Sequence, residues 1–260
     1  MVHPYRKPEV CIHPKGKTMI NRTTTSLLTA AALSLSLGLT GSASALSIDF
    51  DLDAQGNPIL AGQHIDDEYA DWGVQISAVN LRRNHDAAIA FDTLNYTGGD
   101  RDLRTDSGRY GLNNNMERGN VMILAEDIVD ANNDGYVDDP DDEGRRPAGY
   151  FDFMFDTIVH GGAVIMLDID DRAEPGSIDF FRDGSMLDYS IDFAGLGDNS
   201  IEIIQFCGFD YDHMRINLGG SGAVAEVHTT PVPEPVTAVL VPAAIAAVGM
   251  RAGGRGRRTH

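Results

Sequence analysis

The chain has 260 residues, a formal net charge of −19 at pH 7 and two cysteines, Cys11 and Cys207. So acidic a balance excludes nucleic acid and anionic lipid as electrostatic partners and favours cations. Two cysteines exclude a disulfide-dense scaffold, so the fold must rest on an apolar core.

Residues 1–45 read as a secretory signal peptide. Lys15, Lys17 and Arg22 precede an apolar run from Leu27 to Leu39. Ala43 and Ala45 hold the A-x-A spacing of a cleavage site after Ala45. Met19, just ahead of the run, offers an alternative start. The body that follows, 46–230, is read as one acidic domain. Across 46–235 there are 38 carboxylates against 11 arginines and no lysine, a net charge of −27.

Period-2 alternation and turn residues predict strands along this body. The first is 47–52. "HIDDEYADWG" (64–73) then reads as one or two helical turns, with Asp66 as N-cap and Gly73 as stop. Strands follow at 74–80, 87–94 and 120–125. "GYFDFMFD" (149–156) puts Phe151, Phe153 and Phe155 on one face. Gly161-Gly162 reads as a turn before a strand at 163–169. Further strands are 177–182, 186–193, 200–206 and 213–218, with a slip in alternation at Ile204 that predicts a bulge or a strand covered on both faces. Many short strands without sustained helical periodicity predict an all-β domain, a β-sandwich or jelly roll.

The sharpest chemical motif is "DANNDGYVDDPD" (130–141). Asp130, Asn132 and Asp134 supply oxygens at alternate positions, Gly135 permits the sharp turn, and Tyr136 can add its carbonyl. Asp138 and Asp141 complete the expected set around Ca²⁺. Asp141 stands where an EF-hand carries a bidentate Glu, so the loop resembles the calcium loops of dockerins and thrombospondin type 3 repeats. Its flanks read as strands, which predicts a loop joining strands without paired helices. Asp92, Asp100, Asp102 and Glu126 form a second, weaker metal set around "TGGDRDL" (97–103), where a hairpin with solvated charges is the alternative. Asp168 and Asp170 in "LDIDD" are expected to share a face turned to solvent, with a sheet-edge guard or a metal site as the alternatives.

No catalytic constellation is expected. His64, His85, His160, His213 and His228 are scattered, and "VHGGAV" has no G-x-S-x-G elbow to serve. Carboxylate pairs are too abundant here to single out a glycosidase, which leaves a polysaccharide hydrolase as the weakest reading. Tyr96 and Tyr110, in polar loops, are the rings best placed to stack on a sugar.

The tail supplies a different kind of signal. Pro233-Glu234-Pro235 is followed by an apolar segment, 236–250, and by Arg251, Arg255, Arg257 and Arg258. The segment is shorter than the ~20 residues of a stable span, and the arginines hold it on the cytoplasmic side. In this order, residues 231–258 resemble the PEP-CTERM sorting signal. That resemblance implies recognition by an exosortase-type enzyme in a Gram-negative bacterium, with transient inner-membrane anchoring through the tail. It also implies delivery to the cell surface or exopolysaccharide matrix. "DEYADWGVQISA" (67–78), "FDTLNYTGGDRDL" (91–103), "GNVMILAED" (119–127) and "GSGAVAEV" (220–227) resemble the secreted β-rich domains that precede such tails. The expectation is a secreted, calcium-stabilised structural or adhesive protein, with a glycan-binding module of the extracellular matrix as the alternative and extracellular polysaccharide as a partner.

Overall fold

The computed structural model describes residues 45–97, 100–105, 111–170 and 175–232. The expected leader up to Ser44, Tyr110 and everything from Pro233 onward lie outside the described residues. Among the described residues no helix is long and apolar enough to cross a membrane.

The fold is all-β and antiparallel, and it fits a β-sandwich. The strands are β1 (Leu46–Ile48), β2 (Val74–Asn80), β3 (Ala88–Asp92), β4 (Asn120–Leu124), β5 (Gly149–Leu167), β6 (Gly176–Arg182), β7 (Ser185–Phe193), β8 (Ile201–Leu218) and β9 (Ala223–Pro231). They hydrogen-bond in the order β3-β4-β9-β5-β8-β6-β7, with β1 added to β9 and β2 to β5. The alternation of Phe151, Phe153 and Phe155 with Tyr150, Asp152 and Met154 holds, and the three phenylalanines are buried. Burying each such ring is worth about 1.5–3 kcal/mol before the entropy of ordering it is set against that gain.

Two expected strands fuse into β5, and two more fuse into β8. Gly161-Gly162 is therefore not a turn between strands. The two glycines, at φ 56 and 156, lie at a register shift inside β5, and a β-carbon on Gly162 would stand 2.2 Å from the His228 carbonyl oxygen. This irregularity lets one strand pair with β2 at its start and with β9 at its end. The expected helix at 64–73 shrinks to a 3-10 turn, Ala70–Trp72, whose N-cap is Tyr69 rather than Asp66. Gly73 does end it, in the left-handed conformation at φ 73.

The apolar residues form two clusters. The larger one takes Phe151, Phe153, Phe180, Phe206, Met214, Ile216 and Val227. The smaller takes the opposite faces of the same elements: Ile89, Phe91, Val121, Ile123, Ile165, Leu167 and Ile201. Leu103, from a 3-10 turn, and Val137, from a connecting loop, join it. The slip at Ile204 has this cause: Ile201 enters the smaller cluster and Ile204 the larger. Half of the sheet is thus covered on both faces, one face by loops rich in aspartate.

Candidate functional site

Those loops bring six carboxylates together at the edge of the smaller cluster. A 3-10 turn, Arg101–Leu103, is pinned by buried Leu103 and presents Asp100 and Asp102 from either side of Arg101. The connection from β4 to β5 returns beside its own start. Ala125 and Asp142 form a β-bridge, and the Glu126 N–H donates to the Asp141 carbonyl at 2.8 Å. Asp168 follows β5 directly, and Asp198 lies in the turn before β8.

Two triads result, each with carboxylate oxygens within 4.8 Å of one another: Asp100, Asp141 and Asp142, and Asp102, Asp168 and Asp198. Asp142 and Asp168 are only 6% and 1% exposed. Ser221 stands between the triads, its hydroxyl 2.8 Å from Asp142 Oδ2 and 3.5 Å from Asp168 Oδ2. The Gly222 N–H donates to Asp142 at 2.5 Å, the Asp142 N–H to Asp100 at 3.0 Å, and the Asn199 N–H to Asp168 at 2.5 Å. A cleft of about 320 Å³ lined by Arg101, Asp102, Arg104, Asp198 and Asn199 opens onto the second triad.

The electrostatics follow from this crowding. Burial, then the charge of Asp142, pushes Asp100 up to about 9. Burial raises Asp142 to about 6, against hydrogen bonds from Gly222 and Ser221 that lower it. Burial raises Asp168 to about 8, and Asp102, Asp142 and Asp170 add to the rise. Asp102 is raised as well, by burial and by Asp198 and Asp170. Buried like charges this close resist joint ionisation unless a cation compensates them. The donor set is all oxygen, which suits a hard divalent ion such as Ca²⁺.

The sequence-predicted loop folds on its own side chains. Asp130 accepts from the Asp134 and Gly135 N–H groups at 3.2 and 3.0 Å, and Asn132 accepts from Asp134 at 2.8 Å. Asp138 accepts from Ala131 at 2.7 Å, and the Tyr136 N–H donates to Asp134 at 2.9 Å. Asp141 does not turn back into this loop but joins Asp100 and Asp142.

The second predicted set is divided. Asp100 and Asp102 enter different triads. Asp92 instead accepts from the Leu94 and Asn95 N–H groups of its own turn, and Glu126 pairs with Arg83. Asp168, expected at the solvent face, is buried because the chain turns there through a positive φ of 59 and carries the carboxylate inward. Asp142, Asp198 and Ser221 were not singled out. Asp142 directly follows the predicted loop, the one sequence signal that could have found it.

The other groups weighed in the sequence remain apart. His160 pairs with Asp210, His213 with Asp152 and His228 with Glu226. Tyr96 packs against the smaller cluster with the Arg104 guanidinium 5.8 Å from its ring centre.

No family model and no curated protein matches this sequence. Among solved structures, a fucose binding module of Streptococcus pneumoniae, SpX-3, is similar over 34% of this chain and 69% of its own, with 11% identity and a TM-score of 0.25.

Proposed function

We propose that the body is a secreted, calcium-stabilised β-sandwich with a structural or adhesive role at the cell surface or in the exopolysaccharide matrix, and without catalysis of its own. The observation that carries the cation part is the pair of aspartate triads meeting at Ser221. Asp100, Asp141 and Asp142 would hold one Ca²⁺ and Asp102, Asp168 and Asp198 another. Asp130, Asn132, Asp134 and Asp138, with the Tyr136 carbonyl, would form a further loop site. The ion supplies positive charge that lets buried carboxylates ionise together, and it ties the loops over the smaller cluster to the sheet. The route outward rests on the sequence of the two ends: the leader before Ala45 and the tail beginning at Pro233-Glu234-Pro235.

Calorimetry tests the cation reading. At a free Ca²⁺ of 100 times Kd, binding to the folded state alone adds about 2.7 kcal/mol. For a domain of this size that raises the melting temperature by about 5–10 °C over the chelated protein. Identical melts in chelator and in 10 mM CaCl₂ reject the reading.

A further inference from the structure

We propose that the open face of the half-sheet β2-β5-β8-β6-β7 is a binding platform for an uncharged polysaccharide lying across the strands. The proposal rests on the adhesive reading above and names its partner; it does not depend on the calcium sites.

Alternation sends Phe151, Phe153, Ile178, Phe180, Met214 and Ile216 into the larger cluster and turns their neighbours outward. Because the strands are in register, the outward residues line up in rows. One row runs Ser77, Asp152, Arg215, Asp179, Ser190. The next runs Gln75, Met154, His213, Phe181, Met186. No residue of either row is buried. Five strands at about 4.8 Å spacing make a track of about 19 Å, long enough for several linked sugar rings.

These side chains are held in place although they are open to water. Asp152 accepts from Arg215 through both oxygens, at 2.8 and 2.9 Å, and from the His213 ring at 2.6 Å. The Asp179 carboxylate accepts from Ser190 at 2.6 Å and from Asn217 at 2.8 Å. The Arg215 guanidinium lies 3.9 Å from the Tyr150 ring centre, and His213 stacks on Phe181 at 4.4 Å and 18°. Exposed long side chains ordinarily keep their rotamer freedom, and fixing them beforehand lowers the ordering cost of binding.

The groups left over select the occupant. Arg215 turns Nε and Nη2 to Asp152, which leaves Nη1 as a donor. Asn217 turns its Nδ2 to Ser177 and Asp179, which leaves Oδ1 as an acceptor. Met154 and Met186, 46% and 55% exposed, flank His213 and Phe181 with apolar surface suited to the C–H face of a sugar ring. Asp152 and Asp179 belong to none of the carboxylate groups that close to within 4.8 Å of one another among the described residues, so the face is not built for a metal ion. The net charge of −27 over 46–235 repels an anionic chain. A neutral polysaccharide, with hydroxyls and C–H faces and no charge, fits what remains.

Affinity electrophoresis of the full chain in calcium buffer provides the test. The native gels contain dextran, galactomannan, xyloglucan or hydroxyethylcellulose, with hyaluronan as the anionic comparison. Retardation by at least one neutral polymer is expected. Met154→Ala/Met186→Ala, changed only at exposed positions, is expected to bind about tenfold more weakly at an unchanged melting temperature. Arg215→Lys, which keeps the charge and loses the paired donors, is expected to weaken binding by about the same factor. Retardation that neither variant changes, or retardation by hyaluronan alone, overturns the platform and leaves the adhesive reading standing. No retardation by any polymer overturns both. A dimer in light scattering that the methionine variant breaks shows a contact between copies, and that also overturns the proposal.

Discussion

The Ser221 hydroxyl donates to Asp142 Oδ2 at 2.8 Å, and the next N–H, that of Gly222, reaches the same oxygen at 2.5 Å. Residues just before β9 thus fix a carboxylate from the β4–β5 connection, one residue beyond the predicted loop. Charge at this junction governs the first two predictions.

Asp168→Asn changes sign with conditions. Without calcium at pH 9 the substitution removes a buried charge, worth about 3 kcal/mol when uncompensated, and keeps an oxygen for the Asn199 N–H. Its melt is expected above that of the parent. In 10 mM CaCl₂ it lacks one ligand oxygen's charge and is expected to melt below the parent. Calorimetry in both buffers decides, and a shift of the same sign in both contradicts the site.

The chelated protein loses stability as pH rises. Asp100, Asp142 and Asp168 sit at about 9, 6 and 8 in the folded chain, all above the ordinary 3.8. The folded state therefore binds more protons than the unfolded state between about pH 4 and 9, and unfolding free energy falls across that window. Urea midpoints at pH 5, 7 and 9 are expected to decrease in that order in chelator. Calcium is expected to flatten or invert the series.

A second charged group behaves in the opposite way. Burial disfavours ionised Asp152, but hydrogen bonds from Arg215 at 2.8 and 2.9 Å and from His213 at 2.6 Å outweigh it and hold the carboxyl below its usual value. Its contribution is present above pH 3.8 and is lost as pH falls through the folded value. Arg215→Met, which keeps a chain over the Tyr150 ring, is expected to cost about 1–2 kcal/mol at pH 7 by urea titration. The difference is expected to shrink below pH 4.

Gly162→Ala tests the bend in β5. The new methyl meets the His228 carbonyl at 2.2 Å, and backbone yields less readily than a side chain. A loss of about 2–3 kcal/mol is expected in chemical denaturation. A neutral result removes the steric reason given for glycine there.

Much of the fold was legible, by alternation where one face is wet, as in β2, and by the turn residues that bound short apolar runs, as in β3 and β4. β2 matches its expected bounds, and β3, β4, β6 and β7 fall within a residue or two of theirs. β9 was missed although its burial alternates from Ala225 to Thr229, because two of the three buried positions there are the small Ala225 and Thr229, which leave a weak apolar signal around Val227. The fusion within β5 was hidden by Gly161-Gly162, whose composition is the same in a turn and in a bulge. The turn at 130–138 was legible because its hydrogen-bonding side chains are neighbours in sequence. The triads were not, because Asp100, Asp142, Asp168 and Asp198 come from four separate connections and meet only through the sheet. Asp168 misled for a local reason, a left-handed turn that period-2 counting cannot register.

Among the described residues the last strand, β9, lies near the middle of the sheet, hydrogen-bonded to β4, β5 and β1. Leu46 waits for Thr229, so the ribosome must release nearly the whole body before the first strand finds its place. Vectorial synthesis therefore cannot fold this domain piecemeal from its N-terminus, and β1 stays unpaired until β9 has been made.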